Sequence, residues 1–205
     1  MGIDMRTSRP GAISKAELSR MLTKRLEAHP LWETIINSIV VPNAEGKIYL
    51  IGGSVSRVLC EELYGTKMEG FDFDFIAEKV GKNVVAPPGW MVGYSKFGNP
   101  TFTTESVSVD LWPISDASWI KQNNLKPTIE NFFAGTPFTI QAMAYDIKEK
   151  KVIGDLGIGA LRARKFVVNN MNSAKEEAQR KGVTVDQRLE LKAKSMDFTF
   201  VPSGE

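Results

Sequence analysis

Five residues, Phe71-Asp72-Phe73-Asp74-Phe75, constrain this chain more than any others. Strand side chains alternate between faces, so the three phenylalanines share one side and the two aspartates the other. The aromatic face suits a core. The opposite face holds two carboxylates whose alpha carbons are about 7 Å apart, two strand rises. Aspartate is disfavoured in strands, and like charges this close repel. A divalent cation would remove the repulsion, because hard cations prefer oxygen ligands. An edge strand with a solvated acidic face would produce the same pattern.

A second alternating run, Ser106-Val107-Ser108-Val109-Asp110-Leu111, sets Asp110 on the opposite parity from Val107, Val109 and Leu111. On a neighbouring strand, Asp110 would approach the first pair, giving the third carboxylate that a two-metal site uses. The chain has one cysteine, Cys60, and one histidine, His29. That excludes an internal disulfide framework and leaves a histidine or cysteine metal cluster without ligands. Any metal must be held by carboxylates, which points to magnesium or manganese.

Tyr49-Leu50-Ile51-Gly52-Gly53-Ser54 reads as a strand that ends in two glycines at the start of a helix over residues 55–64, closed by Gly65. Such glycines let backbone approach a ligand, and the helix N-terminus offers free amides and a positive dipole to a phosphate. Ser54 adds a hydroxyl. Tight strand-to-helix turns use the same residues for steric reasons alone, so the position about twenty residues before the Asp-x-Asp strand carries the weight.

Elsewhere, residues 1–13 read as a loosely attached arm. Ser14 and Glu17 form a capping box for a helix with Leu18, Met21, Leu22 and Leu26 on one face. His29-Pro30 ends it, and a short helix with Trp32, Ile35, Ile36 and Ile39 follows. Residues 42–46 read as a turn, 47–51 and 71–77 as strands, and 79–89 as a loop. Strands are predicted at 91–95, 101–104, 107–112, 138–146 and 151–153, with helices near 116–122 and 128–133. Trp90, Trp112 and Trp119 read as core more than as base-stacking platforms, Asp146 as a turn residue and Cys60 as buried. Between Leu161 and Ser195 there are nine Lys or Arg against four Asp or Glu, in a chain of net charge +2. A basic segment behind a mildly acidic body suits a polyanion, as it also suits a solvated helix face. Within it, Arg162, Arg164 and Lys165 form a cluster suited to nucleic-acid phosphates. No apolar run reaches the roughly 20 residues of a bilayer span, and the N-terminus lacks the apolar core of a secretory signal, so a cytoplasmic protein without a membrane partner is expected.

The order of these motifs resembles the polymerase-beta nucleotidyltransferase superfamily, and more narrowly the head domain of bacterial tRNA CCA-adding enzymes and poly(A) polymerases. Those heads read roughly GG-x-V-R-D, then D-x-D, then F-G-T, then R-R-D-F-T-I-N-A-L-A-Y-D. Here the matching stretches are Gly52-Gly53-Ser54-Val55, Asp72-Phe73-Asp74, Phe97-Gly98-Asn99 and Phe138-Thr139-Ile140-Gln141-Ala142-Met143-Ala144-Tyr145-Asp146, then Val152-Ile153-Gly154-Asp155 and Gly157. The resemblance implies an α+β fold with a mixed, mainly antiparallel sheet flanked by helices. It implies a head over residues 47–168, after an N-terminal helical segment at 1–46 and before a short basic helical extension at 169–205.

By this resemblance Gly52, Gly53, Ser54 and Arg57 would bind a nucleoside triphosphate, and Asp72, Asp74 and Asp110 would hold Mg2+ or Mn2+. The implied reaction is in-line transfer of a nucleoside monophosphate to a hydroxyl of RNA, tRNA or protein. Two departures bear on it: Ser56-Arg57 replaces the family's Arg-Asp, and Gly135-Thr136-Pro137 replaces its Arg-Arg-Asp. Only about 40 residues follow the head, so full CCA addition is not expected without a partner chain. The alternative is a catalytically reduced head that binds nucleotide or RNA.

Overall fold

The structure, a computed structural model, describes residues 13–66 and 72–204. Phe71 and the arm at residues 1–12 lie outside the described residues. Helix α1 (Lys15–Glu27) starts at the capping box: the Glu17 amide donates to Ser14 Oγ at 3.2 Å and the Ser14 amide donates back to Glu17 Oε2 at 2.8 Å. Its apolar stripe of Leu18, Leu22 and Leu26 is fully buried. A second helical run comprises α2 (Trp32–Thr34), a π-helical turn (Ile35–Val40) and α3 (Val41–Asn43).

Strand β1 (Ala44–Ile51) follows without the turn expected at residues 42–46. Gly46 sits instead at an irregularity in the strand, with φ +78°, and a side chain there would collide with Glu78. Helix α4 (Gly53–Tyr64) ends at Gly65, whose φ of +71° is the left-handed conformation of a helix C-cap. Then come β2 (Asp72–Val80), β3 (Met91–Tyr94), β4 (Pro100–Thr103) and β5 (Ser108–Pro113), followed by α5 (Ser118–Gln122) and α6 (Ile129–Ala134). Strands β6 (Ala144–Asp146) and β7 (Lys151–Ile153) complete a seven-stranded sheet in the order β3-β4-β5-β2-β1-β6-β7. Among the described residues of this sheet, β2 and β5 run parallel and the other pairings are antiparallel, so the α+β fold and mixed sheet are as expected.

The long strand expected at 138–146 is corrected. Thr139–Gln141 forms a 3-10 turn, Phe138 makes only an isolated bridge to Val168, and regular pairing begins at Ala144. Asp146 closes the β6–β7 turn by accepting from the amides of Lys148 and Glu149 at 3.0 and 2.9 Å. The chain continues through α7 (Asp155–Ala163), β8 (Lys165–Phe166), α8 (Met171–Arg180), α9 (Val185–Ser195) and β9 (Thr199–Phe200). Beyond the helices of this extension, β9 pairs in parallel with β8.

Two apolar clusters sandwich the sheet. On one face Leu50, Phe73, Phe75, Phe102, Val109 and Leu111 pack with α1, α4 and the α8–α9 pair. On the other, Tyr49, Ile51, Ile76 and Ala144 meet Ile120 of α5 and Ile129 of α6. Asp72 and Asp74 share strand parity with Ile76, so they stand on this second face, nearer the start of β2. Among the described residues no helix is long and apolar enough to cross a membrane.

Candidate active site

Strand β2 is interior, flanked by β1 and β5, so a solvated edge does not account for its aspartates. Asp74 is the register partner of Asp110 on β5 and of Ile51 on β1. Adjacent parallel strands lie about 4.8 Å apart and partnered residues point the same way, so the two carboxylates share one face. Asp72 lies two residues along, exposed, while Asp74 and Asp110 are half-buried. The Asp74 carboxyl is pushed up to about 6, first by burial and then by the charges of Asp110 and Asp72, with Arg57 pulling the other way.

The glycine turn closes over this pair. Gly52 follows Ile51 directly, adopts φ +72°, and any Cβ on it would stand 2.9 Å from Asp74 Oδ2. Only glycine lets the backbone pass this close to the carboxylate. Gly52 caps α4 without a side-chain hydrogen bond, which leaves the first turn as an anion-facing terminus. Ser54 is buried and its hydroxyl donates to the Ile51 carbonyl at 3.1 Å, so it braces the turn. Arg57 lies one helical turn on; its guanidinium folds back to within 3.0 Å of where a Gly53 Cβ would stand.

Thr101 is a site residue that the motifs did not reveal. It is the register partner of Asp110 on β4, and its hydroxyl donates to Asp110 Oδ1 at 2.5 Å. The available signal was its parity, opposite to buried Phe102 in a short alternating strand.

The donor set, three carboxylates on adjacent strands with Asp74 resisting ionisation, suits a hard cation chemically. Among the described residues, however, no three His, Cys, Asp or Glu side chains converge into a ready-made metal cluster as they stand.

The remaining candidates are dispersed. Arg162 donates to the Ile13 carbonyl, while its Nε is buried without a partner. Arg164 pairs with Asp197 and stacks 4.8 Å over the Tyr64 ring. Tyr64 ends α4, about 18 Å of helix from Gly52, so Arg164 and the exposed Lys165 stand at the far end of α4 from the carboxylates. At the stretch matching the family's Arg-Arg-Asp, a Cβ on Gly135 would lie 2.4 Å from Trp119 Cβ, and Thr136 is buried with its hydroxyl donating to the Phe133 carbonyl at 2.9 Å. His29 packs edge-on against Phe73 at 5.2 Å, Trp112 packs against Phe132, and Cys60 is fully buried.

Solved structures share this architecture. A CCA-adding enzyme with CTP aligns at TM-score 0.56 and 16% identity, covering 90% of this chain and 43% of that one. The Thermotoga maritima CCA-adding enzyme complexed with tRNA aligns at 0.56 and 18%, covering 90% and 42%. The chain therefore has the fold of the aligned parts of these two enzymes. A tRNA nucleotidyltransferase with a primer tRNA and an incoming ATP analogue shares that fold at 0.51 and 17%, covering 76% and 43%. This chain spans less than half the length of those proteins. No protein-family model and no curated protein sequence matches it.

Proposed function

We propose that this chain is a metal-dependent nucleotidyltransferase, moving a nucleoside monophosphate from an NTP to a hydroxyl acceptor with release of pyrophosphate. The observation that carries this reading is the in-register Asp74–Asp110 pair beneath the Gly52 turn. Residues 47–168 would form the transferring head, with 1–46 and 169–205 as flanking segments. Asp72, Asp74 and Asp110 would hold Mg2+ or Mn2+, which supplies charge neutralisation for the triphosphate.

The open first turn of α4 would meet the phosphates, with Gly52 and Gly53 allowing close approach and Arg57 adding a positive charge. Asp110, oriented by Thr101, would take the proton of the acceptor hydroxyl as its oxygen bonds the α-phosphorus. The bond from the α-phosphorus to the bridging oxygen breaks, and pyrophosphate leaves with that electron pair. An RNA 3′ end, tRNA included, is the favoured acceptor, supported by the tRNA and NTP complexes among the structural neighbours; a protein hydroxyl is the other.

One observation favours the second reading, a nucleotide- or RNA-binding module: the packed, neutral Gly135-Thr136 stretch. Transfer from each of four α-labelled NTPs, with magnesium or manganese and with total RNA and cell protein as acceptors, separates the two. Label that depends on the acceptor and vanishes in the double variant Asp72→Asn, Asp74→Asn supports the transferase. Binding of NTP or RNA without any transfer supports the module.

A further inference from the structure

The sheet order sets the carboxylates between two unlike flanks. The Gly52 turn follows β1 on one side of β2, while β4 and β3 continue the sheet beyond β5 on the other. Register partners run from Asp74 through Asp110 and Thr101 to Gly93, and from Asp72 through Ser108 and Thr103 to Met91. Partnered residues point to one face, so Thr101, Thr103, Gly93 and Met91 carry the aspartate face out to the edge of the sheet. Over β1 and the middle of β2 that face is covered, where Tyr49, Ile51 and Ile76 meet α5 and α6. Over β3 it is open. Gly93 and Met91 are exposed, and a Cβ on Gly93 would meet nothing nearer than the Thr101 carbonyl oxygen at 3.9 Å.

The hairpin turn between β3 and β4 ends this shelf. Phe97 at its tip is 61% exposed, although the turn is closely built. Ser95 Oγ accepts from the amides of Phe97 and Asn99 at 3.3 and 3.2 Å, and the Gly98 amide donates to the Ser95 carbonyl at 2.9 Å. Lys96 Nζ lies 5.0 Å from the ring centre and Lys121 Nζ 5.9 Å. Lys121 belongs to α5 and follows Ile120, which packs on the aspartate face, so the ring stands at the rim of that face. Lys121 also pairs with Asp116 at 2.7 Å. Among the described residues Lys96 has no carboxylate partner, which leaves it the cation open to a phosphate. Phe97 is four residues from Thr101, at most about 14 Å of chain. That is the length of about four stacked nucleotides at ~3.4 Å each. An exposed ring beside a free ammonium is how sequence-tolerant single-strand sites are built, with the ring stacking on a base and the cation meeting the backbone.

We propose that Phe97 and Lys96 bind the single-stranded 3′ end of an acceptor RNA, which then runs over β3 and β4 to present its hydroxyl at Asp110. This rests on the transferase reading and adds the path of the acceptor to it. In-line transfer sets the attacking hydroxyl opposite the departing pyrophosphate. With the donor phosphates at the Gly52 turn, the β4–β3 flank is the side left for the acceptor. Unpaired RNA fits better than a duplex, because a paired and stacked base offers no free face to the ring.

Fluorescence anisotropy of a short 5′-labelled single-stranded RNA with the full chain in magnesium tests this. Phe97→Ala should weaken RNA binding about tenfold, with NTP affinity and the urea unfolding midpoint unchanged because the ring is exposed. Phe97→Trp should keep the affinity, and its added indole emission should be quenched by the RNA. Lys96→Ala should weaken binding and lower its salt slope by about one. In transfer to the same RNA, Phe97→Ala should raise the KM for RNA about tenfold and leave the KM for NTP unchanged. Unchanged RNA affinity in Phe97→Ala overturns the inference, and wild-type transfer to that RNA then leaves the transferase reading standing. Wild type that labels protein and not RNA has the same meaning. Wild type that binds RNA through Phe97 yet transfers to no acceptor overturns the transferase reading and, with it, the acceptor role.

Discussion

Asp74 and Asp110 face the same side of the sheet as direct register partners on the parallel β2–β5 pair, with Gly52 capping the space above Asp74. Bringing two carboxylates into register costs the free protein, because Asp74 is both partly desolvated and repelled by its neighbours. Its folded-state pKa of about 6 lies above the ordinary aspartate value of 3.8, so the fold binds its proton more tightly than the unfolded chain. The associated stability is fully present below about pH 4 and is lost as pH rises through about 6.

Asp74→Asn mimics the protonated form. Urea unfolding without divalent metal should therefore find the variant more stable than wild type above pH 6, by something on the order of 1–3 kcal/mol. The two curves should converge towards pH 4. A variant no more stable at pH 7.5 would remove the carboxylate repulsion from the account.

A cation reverses the sign of that comparison. Millimolar magnesium or manganese should raise the melting temperature of wild type at pH 7.5 by several degrees, since a ligand bound only to the folded state stabilises it. Asp74→Asn and Asp110→Asn should respond little. Equal responses in all three proteins would mean that the metal binds elsewhere.

Thr101 donates to Asp110, its register partner on the neighbouring strand. Thr101→Val keeps the side-chain shape and removes the donor that orients the carboxylate. In a transfer assay kcat should drop about 3- to 30-fold with KM nearly unchanged, the pattern of a group that acts through the reacting carboxylate. A change in KM alone would assign Thr101 to substrate binding.

The legible parts of the site were local. The Phe73/Asp74 alternation, the Ser14–Glu17 capping box and the Gly65 stop each depend on neighbours within a few residues, and the structure has all three. The partnering of Asp74 with Asp110, and of Asp110 with Thr101, depends on strand order, which no local pattern encodes. Residues 138–146 misled for a related reason. Phe138, Ile140, Ala142 and Ala144 alternate and are all buried, yet three of them are buried around a 3-10 turn. Gly154 and Gly157 press on Ala142 there, where a Cβ on Gly154 would stand 2.2 Å from the Ala142 carbonyl oxygen. That close approach of backbone is tertiary, and it hid both the turn and the glycine-containing α7.

The glycine turn offers a sharper test of geometry than the carboxylates themselves. Gly52→Ala adds one methyl group 2.9 Å from Asp74 Oδ2 at a φ of +72°, where an L side chain is strained. The strain should destabilise the fold by about 1–2 kcal/mol and push the Asp74 carboxylate aside. Activity should then fall well beyond the loss of folded protein, with the metal-induced rise in melting temperature reduced as well. Wild-type metal response and turnover in a folded Gly52→Ala protein would separate the turn from the site.

Restoring arginine at Gly135 tests whether its loss is built into the packing. A Cβ there would stand 2.4 Å from Trp119 Cβ and 2.6 Å from its Cγ, so Gly135→Arg must displace the indole. Trp119 belongs to α5, whose Ile120 helps to close the face of the sheet that carries the aspartates. Overpacking of this kind costs about 1–3 kcal/mol, and here the cost falls on the element covering the site. Gly135→Arg alone should therefore lower both stability and activity. Pairing it with Trp119→Ala opens the space, and the double variant should recover folding relative to Gly135→Arg, measured as the urea midpoint. If Gly135→Arg by itself were as stable as wild type, the contact with Trp119 would not be what keeps this position a glycine.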